Sequence, residues 1–473
     1  MRLLAVVGLQ LVLAGCSIAP NRYASWDEPA EVPPLPTKAS FNVSKRGAFD
    51  DTLFVVATSG GGSRAAVFAA NVLLRLQETK VGEGDADSNL LAEVDAISAV
   101  SGGALPAAYY AIARDGKTRC QVDGPDNRPL WRADVVRAKM TKNFEQRWFF
   151  RWLIPSNVIH FWFTSFDRSD IMSQVLAEAL FDRGFAQSYT FADICDDRPN
   201  IIINATNGTQ YLCDQGGEPC PKSPTGESFG DVFTFTDGEF EKLGASLSSY
   251  PIAKAAMASA AFPAVFNYTT LRNYKRQEQL NIPYAYMHLF DGGSNDNLGL
   301  DSAWKLIDQN KEKFNRVVVL LVDAYLRPRG VREDVPEARG GFDYFLDTNF
   351  LDSVDVLMTR NRENLLRDLE GKLRKLEEDG EAKTFLYQVA LDEVPDASLG
   401  KTIQAIDTRF KIEPEQAEAL KEAVDLLLSD ENLCYSSLKA VVEGREPASH
   451  KCTMLHNPTT TGDQVLGEAR QGG

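Results

Sequence analysis

The sequence predicts an α/β fold in which buried strands alternate with helices. An apolar strand, Leu53–Thr58, leads through a glycine loop into a helical pattern that begins near Ala65. A second strand, Val94–Val100, ends at Ser101 and is again followed by a helical pattern. Residues 336–456 are rich in Leu with charged residues between, which predicts a helical C-terminal region after the α/β domain.

The composition is typical of a globular protein. The 473 residues are 44% hydrophobic and 25% charged. Burial of this much apolar surface can offset the conformational entropy that the chain loses on folding. The net charge of -16 argues against nucleic acid as a partner, because phosphate binding needs clustered Lys and Arg. The four His, at positions 160, 288, 450 and 456, do not have metal-ligand spacing. We therefore expect no metal and no other cofactor.

The N-terminus has the outline of a secretory signal. Arg2 precedes an apolar run that is too short to span a bilayer, and small residues then lead to Cys16. The tetrapeptide LAGC that ends at Cys16 resembles a lipobox; a plain secretory signal with an incidental Cys is the alternative. The resemblance implies that residues 1–15 are removed and that Cys16 is lipidated. With Ser17 next, it implies a lipid-anchored protein of the cell envelope, retained at the outer membrane.

The regions next to the two termini are predicted to lie outside the folded domain. Five Pro between positions 20 and 36 favour an extended chain, so residues 16–45 are predicted to be the lipidated Cys and a Pro-rich tether. Residues 457–473 are polar and Gly-rich, which predicts a disordered tail. No stretch beyond the signal has the length and apolar character of a membrane span.

Six Cys remain once Cys16 is set aside, and an exported protein is expected to form disulfides. Cys213 and Cys220 bracket a Gly/Pro turn and are the pair that the sequence predicts. Six Cys allow fifteen connectivities, so the other pairs stay open. On local spacing alone, Cys434 would pair with Cys452, and this would leave Cys120 with Cys195.

The first motif, SGGGSR at positions 59–64, joins the first strand to its helix. Glycine loops before helices direct backbone N–H groups at an anion. A dinucleotide-binding loop would fit the glycines, but the next strand lacks the acidic residue that would bind a ribose. An oxyanion hole formed by Gly60, Gly61 and Gly62 is the second interpretation. A purely structural turn is the third.

The other two motifs also follow strands. Residues 99–103, AVSGG, match the nucleophile elbow G-x-S-x-G except that Ala99 replaces the first Gly. Asp291 begins the segment DGGSNDNLG; an EF-hand is excluded because its twelfth position is Ser302 instead of Glu. Either Asp291 is a functional carboxylate that another loop approaches, or it belongs to an Asx turn.

In this order, the three motifs resemble those of the patatin-like phospholipase family, over roughly residues 50–330. The block Ser259–Phe266 and the Arg198-Pro199 pair before a strand strengthen the match. The resemblance implies a three-layer α/β/α fold with a central, mostly parallel sheet, in a domain of residues 46–335. Residues 408–412 and the helix after them resemble the C-terminal end of bacterial patatin-like lipoproteins, and no catalytic chemistry is predicted there.

The resemblance also implies a serine acyl hydrolase that cleaves fatty-acyl esters of lipids or phospholipids. Ser101 would be the nucleophile and Asp291 its base, with the three loop glycines as the oxyanion hole and Arg64 in support. His288 precedes Asp291 by three residues, so the two side chains are predicted to lie on opposite faces of a strand. The expected partners are a lipid substrate and, through the anchor, a membrane. The alternative function is a catalytically silent envelope lipoprotein that binds lipid or acts as a scaffold.

The segment 148–163 contains three of the six Trp, next to Arg147 and Arg151. Such a density of aromatic side chains fits a membrane-facing lid or an acyl-chain groove. A buried packing helix fits it equally well, and the sequence leaves these alternatives open.

Overall fold

The structure is a computed structural model. It describes residues 36–82, 88–115, 128–163, 166–184, 187–213, 219–220, 222–223, 226–263, 265–326 and 349–456. The predicted signal at 1–15, Cys16, Cys120 and the predicted tail at 457–473 lie outside the described residues.

The described chain forms strands and helices that alternate through most of its length. The strands are β1 Thr52–Thr58, β2 Lys80–Val81, β3 Ser88–Asn89, β4 Ala96–Val100, β5 Asp182–Gly184, β6 Gln187–Ser188, β7 Asn200–Asn207, β8 Tyr211–Leu212, β9 Pro219–Cys220, β10 Val232–Phe235, β11 Thr269–Arg272, β12 Tyr286–Asp291, β13 Arg316–Asp323 and β14 Lys383–Ala390. The helices are α1 Gly62–Glu78, α2 Ala104–Ile112, α3 Ala133–Met140, α4 Phe144–Trp152, α5 Pro155–Phe163, α6 Arg168–Leu180, α7 Asp237–Leu243, α8 Ile252–Ser259, α9 Tyr274–Leu280, α10 Leu300–Asn310, α11 Asn349–Glu378, α12 Ala397–Gln404, α13 Pro414–Leu427 and α14 Leu433–Val442.

Eight strands form the central sheet, in the order β11-β12-β7-β4-β1-β13-β14, with β10 paired to β7. The strands β7, β4, β1, β13 and β14 pair in parallel, whereas β10, β11 and β12 pair antiparallel. The predicted α/β fold with a mostly parallel sheet is confirmed. Because the carboxyl ends of β1, β4 and β13 lie at the same edge, the loops after these strands meet there.

The sheet is covered on both faces, which makes the fold three-layered. In β1, Phe54 and Val56 belong to one hydrophobic core, and Leu53, Val55 and Ala57 belong to the other. The same alternation divides β13, since successive side chains of a strand point to opposite faces. Helices α10 and α11 cover one face, while α1, α2, α8 and α13 are among those on the other.

The C-terminal region is largely helical, as predicted, but it is not separate from the α/β domain. Strand β14 pairs with β13 from Arg316 opposite Lys383 to Asp323 opposite Ala390. The boundary expected between residues 335 and 336 therefore does not divide the sheet from a helical unit. The strand was missed because the Leu-rich, charged pattern around it is typical of helices.

The predicted tether also extends too far into the chain. Ala39, Phe41 and Val43 are buried. The carbonyl oxygen of Lys38 accepts a hydrogen bond from the N–H of Ile201 (2.8 Å), and the Thr37 N–H donates to Asp237 (2.8 Å). The residues from about 37 onward are thus packed on the domain, because the apolar side chains in this segment join its hydrophobic cores.

The described residues include two complete disulfides. Cys213 is bonded to Cys220, as the spacing around the Gly/Pro turn predicts, and Cys434 is bonded to Cys452. Cys195 is also disulfide-bonded.

A buried charge cluster joins the long helix α11 to the sheet. Asp323, at the end of β13, is fully buried and accepts hydrogen bonds from Arg362 Nε (2.6 Å) and Gln388 Nε2 (2.7 Å). Arg362 has only 2% of its side chain exposed. Replacing one partner of such a pair leaves an uncompensated charge in the interior.

We expect Arg362→Met to lower the free energy of unfolding by about 3–5 kcal/mol, because the Asp323 carboxylate would stay buried without its cation. Equilibrium urea unfolding followed by circular dichroism measures the change. Arg374→Met is the matched control on the same helix, since Arg374 is 75% exposed and its ion pair with Glu378 is a surface pair. Equal effects of the two substitutions would contradict this role of the buried pair.

Candidate active site

Ser101 lies in a sharp turn between strand β4 and helix α2. Its φ is +50°, in the left-handed region that a residue with a side chain rarely adopts. The Ser101 N–H donates to Ser259 Oγ (2.7 Å), and the Ser259 hydroxyl donates to the Asn204 carbonyl oxygen (2.5 Å). Such a conformation persists only where its surroundings hold it, and these two bonds tie the turn to α8 and β7. The turn presents the Ser101 hydroxyl at the edge of the sheet.

The small residues around Ser101 are required by close backbone contact with the glycine loop. A Cβ atom on Gly102 would overlap the backbone of Gly62, and one on Gly103 would overlap the carbonyl oxygen of Ser59. Ala99, where the elbow pattern has Gly, instead lies within β4 between Thr58 and Ile203. Its φ is not positive, so this departure from the pattern costs nothing in backbone conformation.

Asp291, at the end of β12, is directly beside the Ser101 hydroxyl. Ser101 Oγ donates to Asp291 Oδ2 at 3.1 Å, and the Gly293 N–H donates to Oδ1 at 2.7 Å. Only 6% of each residue, Ser101 and Asp291, is exposed. Burial raises the pKa of Asp291 to about 6, and the hydrogen bonds from Gly293 and Ser101 oppose the rise. The carboxylate is therefore ionised at neutral pH and is a stronger base than an exposed Asp.

His288 lies on the other side of strand β12. Along this strand Met287, Leu289 and Asp291 are buried, while His288 alternates with them. Its Nδ1 is 3.1 Å from Thr270 Oγ1, and it lines a separate polar cavity of about 270 Å³. Burial lowers the pKa of His288. The strand period thus places His288 and Asp291 on opposite faces, as the sequence predicts.

The glycine loop presents two N–H groups beside the Ser–Asp pair. Gly61 (φ +139°) and Gly62 (φ +58°) adopt conformations that favour glycine. Among the described residues, neither N–H has a hydrogen-bond acceptor. The N–H of Gly60 instead donates to the Asn297 carbonyl oxygen (3.0 Å). Of the three glycines expected to form an oxyanion hole, only Gly61 and Gly62 have an N–H that is not already bonded in this way.

Arg64 braces the start of helix α1. Its Nε donates to the carbonyl oxygen of Ala324 (3.0 Å) and its Nη1 to that of Ile406 (2.7 Å). The side chain is buried and links the glycine loop to the end of β13 and to the C-terminal region.

Ser101 and Asp291 open into a cavity of about 690 Å³, within the range of small-molecule sites. Its apolar lining comes from Phe262, Val265, Leu326, Ile406 and Phe410. The described residues include no group of three His, Cys, Asp or Glu side chains that could hold a metal ion.

One wall of the cavity is a segment that sequence reasoning did not assign to the site. Residues 404–410 all line the cavity, and the Arg409 carbonyl oxygen accepts the Ser63 N–H (2.7 Å). Asn297, whose amide also lines the cavity, was likewise missed. Residues 408–412, TRFKI, resemble a segment of the family, but nothing in their residue types indicates contact with a loop more than 300 positions earlier.

Comparisons with known proteins place these motifs in a family. The sequence model named Patatin, described as patatin-like phospholipase, matches residues 56–304, more than half of the chain. No curated protein matches the chain.

Among solved structures, the chain is similar to human GIVD cytosolic phospholipase A2, with a TM-score of 0.43 and 11% identity over 83% of this chain and 60% of that chain. The same human protein, in complex with methyl gamma-linolenyl fluorophosphonate inhibitor and terbium chloride, gives a TM-score of 0.39 and 12% identity, over 83% of this chain and 59% of that chain. VipD from Legionella pneumophila gives a TM-score of 0.29 and 13% identity, over 82% and 69% of the two chains.

The chain therefore spans about 60% of the length of the human structures. With TM-scores below 0.5, these similarities add nothing to the assignment, which rests on the match of the family's sequence model. On that match, the chain belongs to the patatin-like phospholipase family.

Proposed function

We propose that this protein is a serine acyl hydrolase that cleaves fatty-acyl esters of lipids through a Ser101–Asp291 dyad. The observation that carries the proposal is the 3.1 Å hydrogen bond from Ser101 Oγ to the buried Asp291 carboxylate. A Ser hydroxyl is a weak nucleophile until a base takes its proton, and Asp291 is the base within reach. The largely apolar cavity beside it suits an acyl chain.

In the first half-reaction, Ser101 Oγ attacks the ester carbonyl carbon while its proton moves to Asp291 Oδ2. The tetrahedral intermediate carries a negative oxygen, and the N–H groups of Gly61 and Gly62, at the N-terminus of α1, stabilise it. The C–O bond to the alcohol then breaks, and Asp291 returns the proton to the leaving oxygen. The product is an acyl ester on Ser101.

In the second half-reaction, water attacks the acyl carbonyl carbon, and Asp291 Oδ2 takes a proton from it. The bond from Ser101 Oγ to the acyl group breaks, and Ser101 recovers its proton from Asp291. The fatty acid leaves, and the free dyad is restored. The same carboxylate serves as base and then as acid in each half, so no His is required.

We also propose that Cys16 carries the lipid anchor and that the protein is held at the outer membrane of a bacterial envelope. The lipobox pattern LAGC and the hydrolase site support this, since an enzyme acting on membrane lipid gains from being tethered to its substrate.

We expect full-length protein with Cys16→Ser to lose incorporation of labelled palmitate in cells. Retention of the label by this variant would contradict lipidation of Cys16.

We expect a fluorophosphonate probe to label the wild-type protein, because it reacts with an activated Ser hydroxyl. Ser101→Ala should abolish the label and lower ester turnover by roughly 10⁴-fold or more. Labelling is read by gel fluorescence and turnover by fatty-acid release. Ser436→Ala, on α14, is the control and should behave as wild type. Labelling that survives Ser101→Ala would refute the assignment, and a wild-type protein without turnover would favour the silent lipoprotein.

The second prediction for the dyad concerns pH. Because protonated Asp291 cannot accept the proton of Ser101, kcat/KM should fall below pH about 6, the value to which burial raises this pKa. Asp291→Asn should lower kcat/KM by roughly 10²–10⁴-fold and remove this limb of the pH profile.

His288→Ala is the matched control for the pH experiment. His288 is close to Asp291 in the sequence but is not part of the dyad. The pH profile of this variant should therefore keep its wild-type shape. A profile that loses its acidic limb in His288→Ala, but keeps it in Asp291→Asn, would replace the dyad with a His-based triad.

A further inference from the structure

Helices α4 and α5, residues 144–163, expose an unusual amount of apolar surface. We call these residues the aromatic hairpin. Of the sixteen large apolar side chains that are exposed in the described part of the chain, seven belong to it: Phe149, Phe150, Leu153, Val158, Ile159, Trp162 and Phe163. Trp162 is 74% exposed and Phe163 is 83% exposed. Contiguous apolar surface of this kind marks an interaction site.

The opposite side of the aromatic hairpin is firmly packed. Phe144 is fully buried, and Trp148 Nε1 donates to the Arg168 carbonyl oxygen (3.1 Å). Arg151 on α4 forms an ion pair with Glu178 on α6 (2.6 Å). The hairpin thus packs against the domain through one face only. Its exposed aromatic face does not contribute to the packing of the domain.

Basic residues lie near the base of this apolar surface, although the chain as a whole has a net charge of -16. Arg147 is exposed on α4, and Lys139 and Lys142 precede it. Burial, followed by the nearby charges of Lys139 and Arg147, lowers the pKa of Lys142 to about 8, so these cations are close together. Acids in this region include Glu178, which pairs with Arg151, and Glu145, which lines the catalytic cavity. An apolar surface with basic residues at its edge matches the surface of an anionic bilayer.

The base of the aromatic hairpin contacts a wall of the catalytic cavity. The carbonyl oxygen of Phe410, which lines the cavity, accepts the N–H groups of Phe144 (3.0 Å) and Glu145 (3.3 Å). The Phe410 ring packs edge-on against Phe266 (5.5 Å between centroids), and Phe266 packs edge-on against Trp148 (5.9 Å). The base of the hairpin is therefore in direct contact with a wall of the cavity.

We propose that the aromatic hairpin is a docking surface for an anionic lipid bilayer. Trp162 and Phe163 enter the boundary between head groups and acyl chains, while Arg147 contacts anionic head groups. Each helix has nine residues, about 13 Å, so the hairpin lies in the interface instead of crossing it. None of the described helices has the length and apolar character of a membrane span. Docking itself does not depend on the proposed hydrolase activity; only its effect on turnover does.

Tryptophan quenching tests the docking without any catalysis. Full-length protein with Ser101→Ala is mixed with phosphatidylcholine–phosphatidylglycerol vesicles whose acyl chains carry bromine. We expect quenching of Trp emission that weakens with added salt and with Arg147→Glu. Adding Trp162→Phe should remove much of the quenching, because it deletes the inserted fluorophore and keeps an apolar side chain.

Two results would overturn the docking surface. One is quenching that Trp162→Phe leaves unchanged, since the inserted Trp would then lie elsewhere. The other is the absence of quenching together with self-association of the protein, measured by sedimentation. In that case Trp162→Phe and Phe163→Ser would weaken the self-association. That result would assign the apolar surface to a second copy of the chain.

The effect on turnover gives an independent readout in the catalytically intact protein. Trp162→Ser with Phe163→Ser should lower hydrolysis of vesicle lipid by about tenfold or more, from the apolar area that no longer enters the bilayer. Hydrolysis of a soluble short-chain ester should not change. The matched control, Phe229→Ser with Leu433→Ser, removes two side chains that are each 64% exposed elsewhere, and should leave both activities unchanged.

Equal loss of both activities in the hairpin variant would indicate a packing role and overturn the proposal. If the wild-type protein hydrolysed neither substrate, the proposed function would fail, and the quenching experiment would still decide the docking surface.

Discussion

The register of the central sheet determines where Ser101 and Asp291 lie. In β4, Ala99 pairs with Thr58 of β1, so the glycine loop and the Ser101 turn leave the sheet side by side. Val100 pairs with Asn204 of β7, and Asp291 of β12 pairs with Ala205 of the same strand. Ser101 and Asp291 thus emerge next to each other although 190 positions separate them. A slip of one residue in β12 would turn the carboxylate to the opposite face, where His288 points.

The burial of the sheet, which fixes the register of its strands, also raises the pKa of Asp291. Both faces of the sheet are covered by helices, so Asp291 is shielded from water and its pKa is raised to about 6. The Ser101 backbone is held in a left-handed conformation that costs of the order of 1–3 kcal/mol. The bonds through Ser259 to Asn204, and the contact of Gly102 with Gly62, offset that strain. Stability elsewhere in the core thus maintains a turn that is unfavourable in isolation.

The C-terminal region belongs to the same structural unit as the three sequence motifs. Strand β14 extends the sheet beyond β13, and residues 404–410 form a wall of the cavity. This wall lies outside residues 56–304, which match the family. It is joined to the glycine loop through Arg64 and Ser63.

The sequence by itself determined the features that short segments carry. Strand, glycine loop and helix are consecutive in the chain, as are β4, Ser101 and α2, and the Cys213–Cys220 disulfide closes a short turn. The order of three such motifs was enough to indicate the fold and the family. The odd spacing of His288 and Asp291 was enough to place them on opposite faces, because a strand has a period of two.

Only the tertiary structure decided which backbone and side-chain groups of these motifs are already bonded and which segments enclose the cavity. The Gly60 N–H is bonded to Asn297, Arg64 reaches Ile406 across 342 positions, and residues 404–410 enclose the cavity. Such contacts depend on how distant segments pack, and no local pattern encodes them. The aromatic hairpin is the clearest case: one run of Trp and Phe fits a buried helix and an exposed surface equally well, because hydrophobicity favours leaving water without specifying the partner. Helix α4 packs against α6, whereas Trp162 and Phe163 on α5 are exposed.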